Sequence, residues 1–246
     1  KDTYLTIKVI RMRKIAGSSN YLKNQSMKYL SRAILSLLFF ILIFALTFYC
    51  IVFKTHGISI IEATCFVISL IFLLTFRYYQ HKYYVYKGGR QGEKTVIKTL
   101  TNKLNDEYYL MNGVYLKSGG GDIDHIVLGP TGIYVLETKN WSGKIICNNT
   151  QWQRPGKKIQ NNPSIQAKNN TQKIKRILDS SLLFRGHDIW VEGLIVFTNT
   201  HANLSISNPV VPVLRIQQLP DYIRNQKNNR LTKEQIQQII KQIQIA

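Results

Sequence analysis

The sequence predicts a mixed α/β domain, in which helices flank a central sheet, preceded by a hairpin of two transmembrane helices. Three observations support this fold class. An apolar block occupies residues 33–76. Two short strand-like segments are joined by a tight turn at 129–132. Segments with helical periodicity lie on either side of these strands, at 93–104 and from Pro163 onward.

The net charge of the chain is strongly positive, unlike that of a neutral soluble domain. The 246 residues include 33 Lys/Arg and 13 Asp/Glu, which gives a net charge of +20. From Arg77 onward there are 24 Lys/Arg against 11 Asp/Glu, so the part after the apolar block is basic by itself. This balance favours partners with phosphates, either nucleic acid or anionic lipid head groups. A soluble surface that is merely Lys-rich is the alternative. The three cysteines form no disulfide framework and no zinc spacing, which fits a reducing compartment.

The apolar block contains two segments long enough to cross a bilayer as helices, at 33–53 and 58–76. One span plus a buried core helix is the alternative, but a small domain cannot bury two such helices on all sides. Basic residues precede and follow the hairpin, whereas its turn (54–57) has only Lys54, so both chain ends are expected in the cytoplasm. Glu62 could be a functional intramembrane acid, but we expect it to reach the membrane edge or pair with Lys54.

The elements after the hairpin follow from local patterns. Glycines at 88, 89 and 92 indicate a boundary, and Glu93 then opens a helix. Asn112-Gly113 indicates a turn before a short strand at 114–116. After the central hairpin we predict a third antiparallel strand, a helix from Pro163, two more strands and two terminal helices. Their ranges are 144–147 for the third strand, 191–197 and 211–214 for the later strands, 219–224 for the short helix, and from Thr232 for the last helix.

The central hairpin places two acids together. Turn loops of two residues (Pro130, Thr131) or of four residues give the same antiparallel pairing, in which Asp124 lies opposite Glu137. Facing Cβ atoms are about 5 Å apart, so the two carboxylates repel each other unless a positive charge lies between them. A divalent cation bound by oxygens meets this need, with Lys139 on the same face of the strand.

Five elements in order resemble the NERD (nuclease-related domain) family, which is placed in the PD-(D/E)XK nuclease superfamily. The elements are Gly92-Glu93 at the predicted helix start, Asp122-Ile-Asp124-His-Ile, Gly132-Ile-Tyr-Val-Leu-Glu137-Thr-Lys139-Asn, Ser142-Gly143 and Asn162-Pro163-Ser-Ile-Gln166. A lone Asp…Glu-x-Lys pattern often occurs by chance, whereas five elements at the right spacing are specific. The resemblance covers about 88–200 and implies a restriction-endonuclease-like core.

With this resemblance, the chain divides into five parts. They are a basic N-terminal cytoplasmic segment (1–32), the transmembrane hairpin (33–76), a juxtamembrane linker (77–91), the NERD nuclease-like domain (92–200) and a C-terminal strand and helical tail (201–246).

The resemblance also implies roles for individual residues. Asp124 and Glu137 would bind Mg²⁺, with Mn²⁺ as a substitute, and the backbone carbonyl of Thr138 would be a third ligand. Lys139 would position or activate the attacking water and stabilise the charge that develops on the phosphate. Gln166 would support the site from the following helix, and Glu93 matches an accessory acid. Asp122 stands where family members often have Glu.

Structural alternatives stand beside several of these roles. Glu93 could be an early-helix acid favoured by the helix dipole, and Gln166 a solvated helix residue. His125 lies on the opposite face from Asp124 and is expected to pack rather than to bind metal. Trp141 and Trp152 are expected to pack rather than to stack on bases. Five cations are expected to contact nucleic acid, although Lys-rich helices are usually solvated: Lys157, Lys158, Lys168, Lys173 and Arg176.

The sequence thus predicts a membrane-anchored, cytoplasmic, metal-dependent nuclease that hydrolyses phosphodiester bonds, with DNA favoured over RNA. One alternative is a nucleic-acid-binding module that retains the fold without catalysis. Another is a membrane scaffold in which the hairpin forms a homo-oligomer and the remaining domain recruits partners.

Overall fold

A computed structural model of the chain describes residues 12–15, 20–53, 59–116, 122–184, 189–227 and 231–246. The chain divides into two compact units, Asn20–Arg90 and Gln91–Ala246, the latter together with the N-terminal residues before 20. The turn predicted at 54–57 lies outside the described residues. Each unit is described separately below.

Two long helices make up the unit at 20–90: α1 spans Tyr21–Phe53, and α2 begins at Ile60 and ends at Lys103 in the other unit. By length and composition, both helices can cross a membrane. Many of their large apolar side chains are exposed, which suits surfaces that face lipid. Glu62 accepts hydrogen bonds from the Ser59 amide (2.7 Å) and hydroxyl (3.2 Å), so this acid caps the start of α2.

Helix α2 corrects one prediction from the sequence. Glu93 does not open a helix, because α2 is continuous from Ile60 to Lys103 and includes the segment at 77–91. Each glycine within a helix costs only about 1 kcal/mol relative to Ala, and packing can offset this. Tyrosines supply such packing, since the Tyr29 ring lies 5.4 Å from Tyr86 and 6.2 Å from Tyr79 between ring centroids.

A mixed six-stranded sheet forms the centre of the second unit, with the strand order β1-β2-β3-β4-β7-β9. The β2–β3 and β3–β4 pairs are antiparallel, and the other pairs are parallel. The strands are β1 (Arg13–Ile15), β2 (Tyr109–Val114), β3 (Ile123–Gly129), β4 (Gly132–Lys139), β7 (Val191–Phe197) and β9 (Val213–Arg215). This confirms the predicted fold class, a mixed sheet with flanking helices.

Helices cover both faces of this sheet. They are the final part of α2, with α3 (Pro163–Ser180), α4 (Leu219–Arg224) and α5 (Lys233–Ile245). One face packs against α3 and α5 through residues such as Val135, Ile174 and Ile239. The opposite face packs against α2 and α4 through residues such as Leu136 and Leu100. Alternation along β4 therefore assigns odd-numbered residues to the α3 face and even-numbered residues to the α2 face.

The third predicted strand belongs to a different sheet. Strand β5 (Gly143–Asn148) pairs antiparallel with β6 (Gln151–Gln153) and parallel with β8 (Ala202–Ser207), which forms a three-stranded sheet. The prediction of three antiparallel strands in one sheet was therefore wrong. Gly143 explains part of the difference, because its φ of +82° redirects the chain as β5 begins.

Other boundaries were predicted with mixed success. The strand expected at 114–116 lies earlier, as β2, and Asn112-Gly113 falls inside it rather than in a turn. The strand expected at 211–214 is observed as β9, shifted toward the C-terminus. The strand at 191–197 and the helix at 219–224 are confirmed. The start of α5 is confirmed too, since Thr232 and Gln235 form the predicted capping box.

Candidate functional site

The two-residue turn between β3 and β4 sets the register of the central hairpin. Gly129 pairs with Gly132, and the ladder continues in step along both strands. Extended to the open end of the hairpin, this register sets Asp124 opposite Glu137, as the sequence predicts. By alternation, both carboxylates lie on the sheet face that packs against α3.

Asp124 is partly buried, and one of its carboxylate oxygens accepts the Thr138 amide N–H at 2.7 Å. Burial raises the pKa of Asp124 well above its ordinary value, and the nearby charges of Glu137 and Glu93 raise this pKa further. The Thr138 amide and the Lys139 ammonium lower the pKa without reversing the shift. Asp124 therefore lies in a negative environment that favours uptake of a proton or another positive charge.

Glu137, Lys139 and Gln166 form a chain of charge-assisted contacts. Glu137 is buried, with 4% of its surface exposed, and its Oε1 lies 2.5 Å from Lys139 Nζ. The same ammonium donates to Gln166 Oε1 at 3.0 Å. Two acceptors from different elements thus hold Lys139, and one of them is Gln166 at the start of α3.

The start of α3 fixes the position of Gln166. Asn162 is the N-cap, and its side chain accepts the amide N–H groups of Ser164 (2.9 Å) and Ile165 (3.2 Å). The Ser164 hydroxyl also accepts the indole N–H of Trp152 at 2.8 Å. This first turn of α3 is therefore fixed both by its own cap and by β6, and Gln166 lies within it.

Glu93 approaches the hairpin acids from the other layer, in the interior of α2. Burial raises its pKa to about 7, and the charges of Asp122 and Glu137 contribute to this increase. Because α2 begins 33 residues earlier, at Ile60, the helix dipole at an N-terminus cannot explain this acid. The early-helix alternative is therefore wrong, and Glu93 is one of four carboxylates around the open end of the hairpin.

Gly92 allows α2 to lie against the sheet beside these acids. A Cβ at this position would be 2.9 Å from the Thr198 hydroxyl and 3.0 Å from Asn140 Cβ. Real Cβ atoms are rarely so close to other heavy atoms, so only glycine fits without a shift of the helix or the strands. The Gly92-Glu93 pair thus combines a close backbone approach with an acid directed toward the site.

The donors at this open end suit a hard divalent cation by their chemistry, since all are oxygens. The N–H and C=O of one strand residue point to the same side, and the Thr138 N–H reaches Asp124, so the Thr138 carbonyl faces that side as well. Within the described ranges, no three acidic, His or Cys side chains converge closely enough to enclose an ion. Two carboxylates and one carbonyl fit Mg²⁺, which retains several waters.

His125 occupies the opposite side of β3, as predicted. It is 1% exposed, and its Nδ1 lies 2.8 Å from the Asn112 side-chain oxygen. Burial lowers its pKa to about 3, so the ring is neutral at physiological pH. The side chain belongs to the interior of the sheet and points away from Asp124.

Trp141 and Trp152 form an aromatic cluster with Phe197. The three ring centroids lie 5.9–6.5 Å apart. Trp152 is buried, with 9% of its surface exposed, whereas Trp141 is half-buried and has Lys139 Nζ at 5.7 Å from its ring centroid. Both rings pack, and Trp141 also borders the candidate site.

The cations predicted to contact nucleic acid remain on the surface. Four of them are exposed: Lys157, Lys158, Lys168 and Arg176. Lys173 is partly buried and donates to Asn170 at 3.3 Å. The ten residues from Gln166 to Arg176 correspond to about 15 Å along the helix, so Arg176 lies well away from the acids.

Arg154 is a further cation at this site, and the sequence did not predict its role. Arg154 follows β6 directly. Its guanidinium carbon lies 4.4 Å from the centroid of the Trp141 ring. Burial lowers the pKa of Arg154 from its ordinary value. The local sequence, a basic loop without periodicity, gives no signal for this contact, because the contact depends on how β5 and β6 fold together.

Comparisons with known proteins identify one matching family and one similar protein. Residues 88–198 match the family model of the nuclease-related domain, NERD. An uncharacterized protein of Bacillus anthracis (pXO1-01) is 42% identical over 60 residues, which are 23% of this chain and 28% of that protein. The chain thus spans less than a third of the length of this relative. No solved structure matches the chain.

The family match begins at Gly88 and therefore includes Glu93 on α2, the acids of the central hairpin and Gln166 on α3. It ends at Thr198, whose hydroxyl borders Gly92. All of the residues that the geometry brings together lie within the matched range. Residues 88–198 of this protein thus match the nuclease-related (NERD) domain family.

Proposed function

We propose that this protein is a membrane-anchored, Mg²⁺-dependent nuclease that hydrolyses phosphodiester bonds, with DNA as the preferred substrate. One observation carries the proposal. The hairpin register sets Asp124 opposite Glu137, and Lys139 forms a salt bridge with Glu137. These residues lie within a segment that matches a nuclease-related family. A buried cluster of like charges is unfavourable for stability, and such clusters are concentrated at functional sites.

Asp124, Glu137 and the Thr138 carbonyl are the groups that would hold the metal ion. A bound Mg²⁺ supplies Lewis acidity at the phosphate and lowers the pKa of a bound water. The raised pKa of Asp124 supports this assignment, because a cation beside the carboxylate would favour its ionised form. The Glu137 carboxylate contacts Lys139, so its charge can be neutralised either by this ammonium or by the metal ion.

Lys139 contributes a fixed positive charge beside the reacting phosphate. Its ammonium is partly buried and is oriented by Gln166, so little reorganisation is needed when negative charge develops. Glu93, with a pKa of about 7, changes protonation near neutral pH and can take up or release a proton at the site. These two residues thus have separate roles, electrostatic stabilisation and proton transfer.

The two apolar helices are the proposed membrane anchor. The positive-inside bias supports an arrangement with the N-terminus and the nuclease-related domain in the cytoplasm. Reporter fusions at Ala246 and within residues 54–58 test this arrangement. We expect a cytoplasm-active reporter to work at Ala246 and a periplasm-active or exterior-active reporter to work within residues 54–58.

A cleavage assay tests the activity. The full chain, purified in detergent micelles, is incubated with DNA and with RNA, in Mg²⁺ and in EDTA. We expect cleavage only with the metal, and we expect Glu137→Ala and Lys139→Ala to abolish it. Glu234→Ala and Lys144→Ala, at exposed positions, are the matched controls. Cleavage that survives both site substitutions would contradict the proposal.

A non-catalytic nucleic-acid-binding module is the second candidate. The 2.5 Å contact with Lys139 favours it, because this contact neutralises Glu137 without a metal. The same purified chain distinguishes the two functions. Binding to DNA with no cleavage in either Mg²⁺ or Mn²⁺ would support the binding module, whereas metal-dependent cleavage would support the nuclease.

A further inference from the structure

Arg154 has the properties of a cation that lacks its partner. It is half-buried, and its guanidinium lies over the Trp141 ring at 4.4 Å from the centroid. In the part of the chain that the structure describes, no carboxylate pairs with Arg154, and its buried Nε has no hydrogen-bond acceptor. A buried donor without an acceptor destabilises the protein by about 1–3 kcal/mol, so a purely structural Arg is a poor explanation.

The aromatic cluster connects Arg154 to the candidate site. Trp141 is the shared platform, because Lys139 Nζ lies 5.7 Å and the Arg154 guanidinium 4.4 Å from the same ring centroid. The two positive groups are therefore no farther apart than these two distances combined. Trp152 and Phe197 pack against Trp141 and fix the platform in place.

The chemistry of this cation suits a phosphate oxygen. Lys139 is engaged by Glu137 and Gln166, whereas Arg154 has no carboxylate partner among the described residues and its Nε has no acceptor there. An Arg stacked on an aromatic ring keeps its N–H groups in the ring-parallel plane, where they can donate to a phosphate as a fork. The neighbouring start of α3 does not offer the same site, because Asn162 already accepts two of its amide groups.

We propose that Arg154, held on Trp141 beside Lys139, is a positioning residue that binds a backbone phosphate of the nucleic acid next to the scissile phosphodiester. This inference rests on the proposed function and deepens it. It also assigns the phosphate contact to a partly buried, preorganised side chain rather than to the exposed lysines of the 154–162 loop. Arg154 affects how the substrate is positioned, whereas the hairpin residues take part in the chemical step.

Salt-dependent binding tests the inference without cleavage. The full chain in detergent is titrated with a short fluorescein-labelled DNA duplex in EDTA, over about 50–200 mM NaCl. Each phosphate contact adds about 0.9 to the slope of log affinity against log salt. We expect Arg154→Met to reduce the slope by about this amount and to weaken binding roughly tenfold at low salt. Arg154→Lys should restore the slope, since it restores the charge.

Two controls separate binding from folding. Met retains the aliphatic stem that covers Trp141, and tryptophan fluorescence reports whether the aromatic cluster is intact. Lys241→Met removes the same charge from an exposed position on α5, and its slope should equal that of the unaltered chain. An unchanged slope in Arg154→Met, with normal fluorescence, would overturn the inference.

The cleavage assay then distinguishes this inference from the proposed function. In an active enzyme, Arg154→Met should raise KM about tenfold, the same factor as the loss in affinity, and leave kcat within about twofold. Cleavage with unaltered KM and salt slope would support the nuclease and overturn the role of Arg154. A reduced slope without any cleavage would support the role of Arg154 and reject the nuclease. Failure of the unaltered chain to bind the duplex would overturn both.

Discussion

Strand β4 has a carboxylate beside each of its ends, one buried (Glu137) and one partly buried (Glu192), and the two carboxylates have different surroundings. Near the first end, Glu192 of β7 pairs in register with Tyr134 and accepts the Tyr222 hydroxyl at 2.9 Å. Near the last end, Glu137 is surrounded by further acids and contacts the Lys139 ammonium. The first arrangement gives one carboxylate oxygen a neutral donor, and such a hydrogen bond stabilises a fold.

The arrangement around Glu137 brings several negative charges together, and the Lys139 ammonium partly compensates them. This difference shows in the pKa values of the neighbours. Burial, followed by the charge of Glu192, raises the pKa of Tyr134 to about 12, so its hydroxyl remains neutral in the physiological range. Glu93, by contrast, has a pKa raised to about 7 and titrates in that range. The Glu137 end of β4 thus holds a group that is close to a change of charge near neutral pH.

The largest predicted effect separates the two ends by activity. Lys139→Met should reduce the rate of DNA cleavage about 10³-fold, because a preorganised charge beside the phosphate is lost. Glu192→Gln should leave this rate within about twofold, since the residue lies beside the other end of β4. Initial rates on plasmid DNA in Mg²⁺ measure both variants. Equal losses in the two variants would show that folding, rather than chemistry, controls the assay.

A second prediction concerns the close approach of α2 to the sheet. Gly92→Ala places a Cβ against Thr198 and Asn140, which forces the helix to shift and displaces Glu93. A displacement of this kind should lower the cleavage rate about 10–100-fold. Gly89→Ala is the matched control on the same helix, because its Cβ would meet only the flexible end of Leu22 at 3.3 Å. That variant should retain full activity, and similar losses in both would contradict the argument.

These contrasts show how much of the site the sequence could predict. Alternation along β4 and the turn chemistry of Pro130 and Thr131 were sufficient to set Asp124 opposite Glu137. The resemblance added Gln166, and its contact with Lys139 is observed. Local rules succeeded here because one short turn fixes the register, and one N-cap fixes the start of α3.

Tertiary packing explains the predictions that failed. Three glycines suggested a break before Glu93, but their helix penalty is small compared with the packing of α2. The small sheet was missed because its strands pair across a long sequence separation, with β5 beside β8. The alternation of Leu204 and Ile206 with polar residues was a signal for β8. No local pattern indicates Arg154, since its contact with Trp141 requires the folded sheet.

A third prediction uses pH to sharpen the comparison. The pKa of Glu93 is raised in the folded protein from 4.5 to about 7, so the folded state binds the proton more tightly than the unfolded state. The stability that this proton provides is complete below pH 4.5 and is lost as pH rises to about 7. In EDTA, Glu93→Gln should therefore raise the unfolding free energy relative to the unaltered chain, and this gain should be about 1–2 kcal/mol larger at pH 8 than at pH 5.

Tryptophan fluorescence measures this effect on the correct unit, because Trp141, Trp152 and Trp190 all lie after residue 90. Denaturant titrations at pH 5 and pH 8 give the unfolding free energy of the variant and of the unaltered chain. Glu234→Gln, at an exposed position, should show the same difference from the unaltered chain at both pH values. Equal stabilisation by Glu93→Gln at pH 5 and pH 8 would reject the assigned titration.

The smallest predicted effect tests the stabilising end of β4. Tyr222→Phe removes the hydroxyl that donates to Glu192, and a second oxygen of this carboxylate already lacks a partner among the described residues. The substitution should lower the unfolding free energy by about 1 kcal/mol at pH 7, measured by tryptophan fluorescence. The cleavage rate should be unchanged, because the contact acts on stability alone. A loss of cleavage without a loss of stability would mean that the two ends of β4 are coupled, and the separation argued from their different partners would then fail.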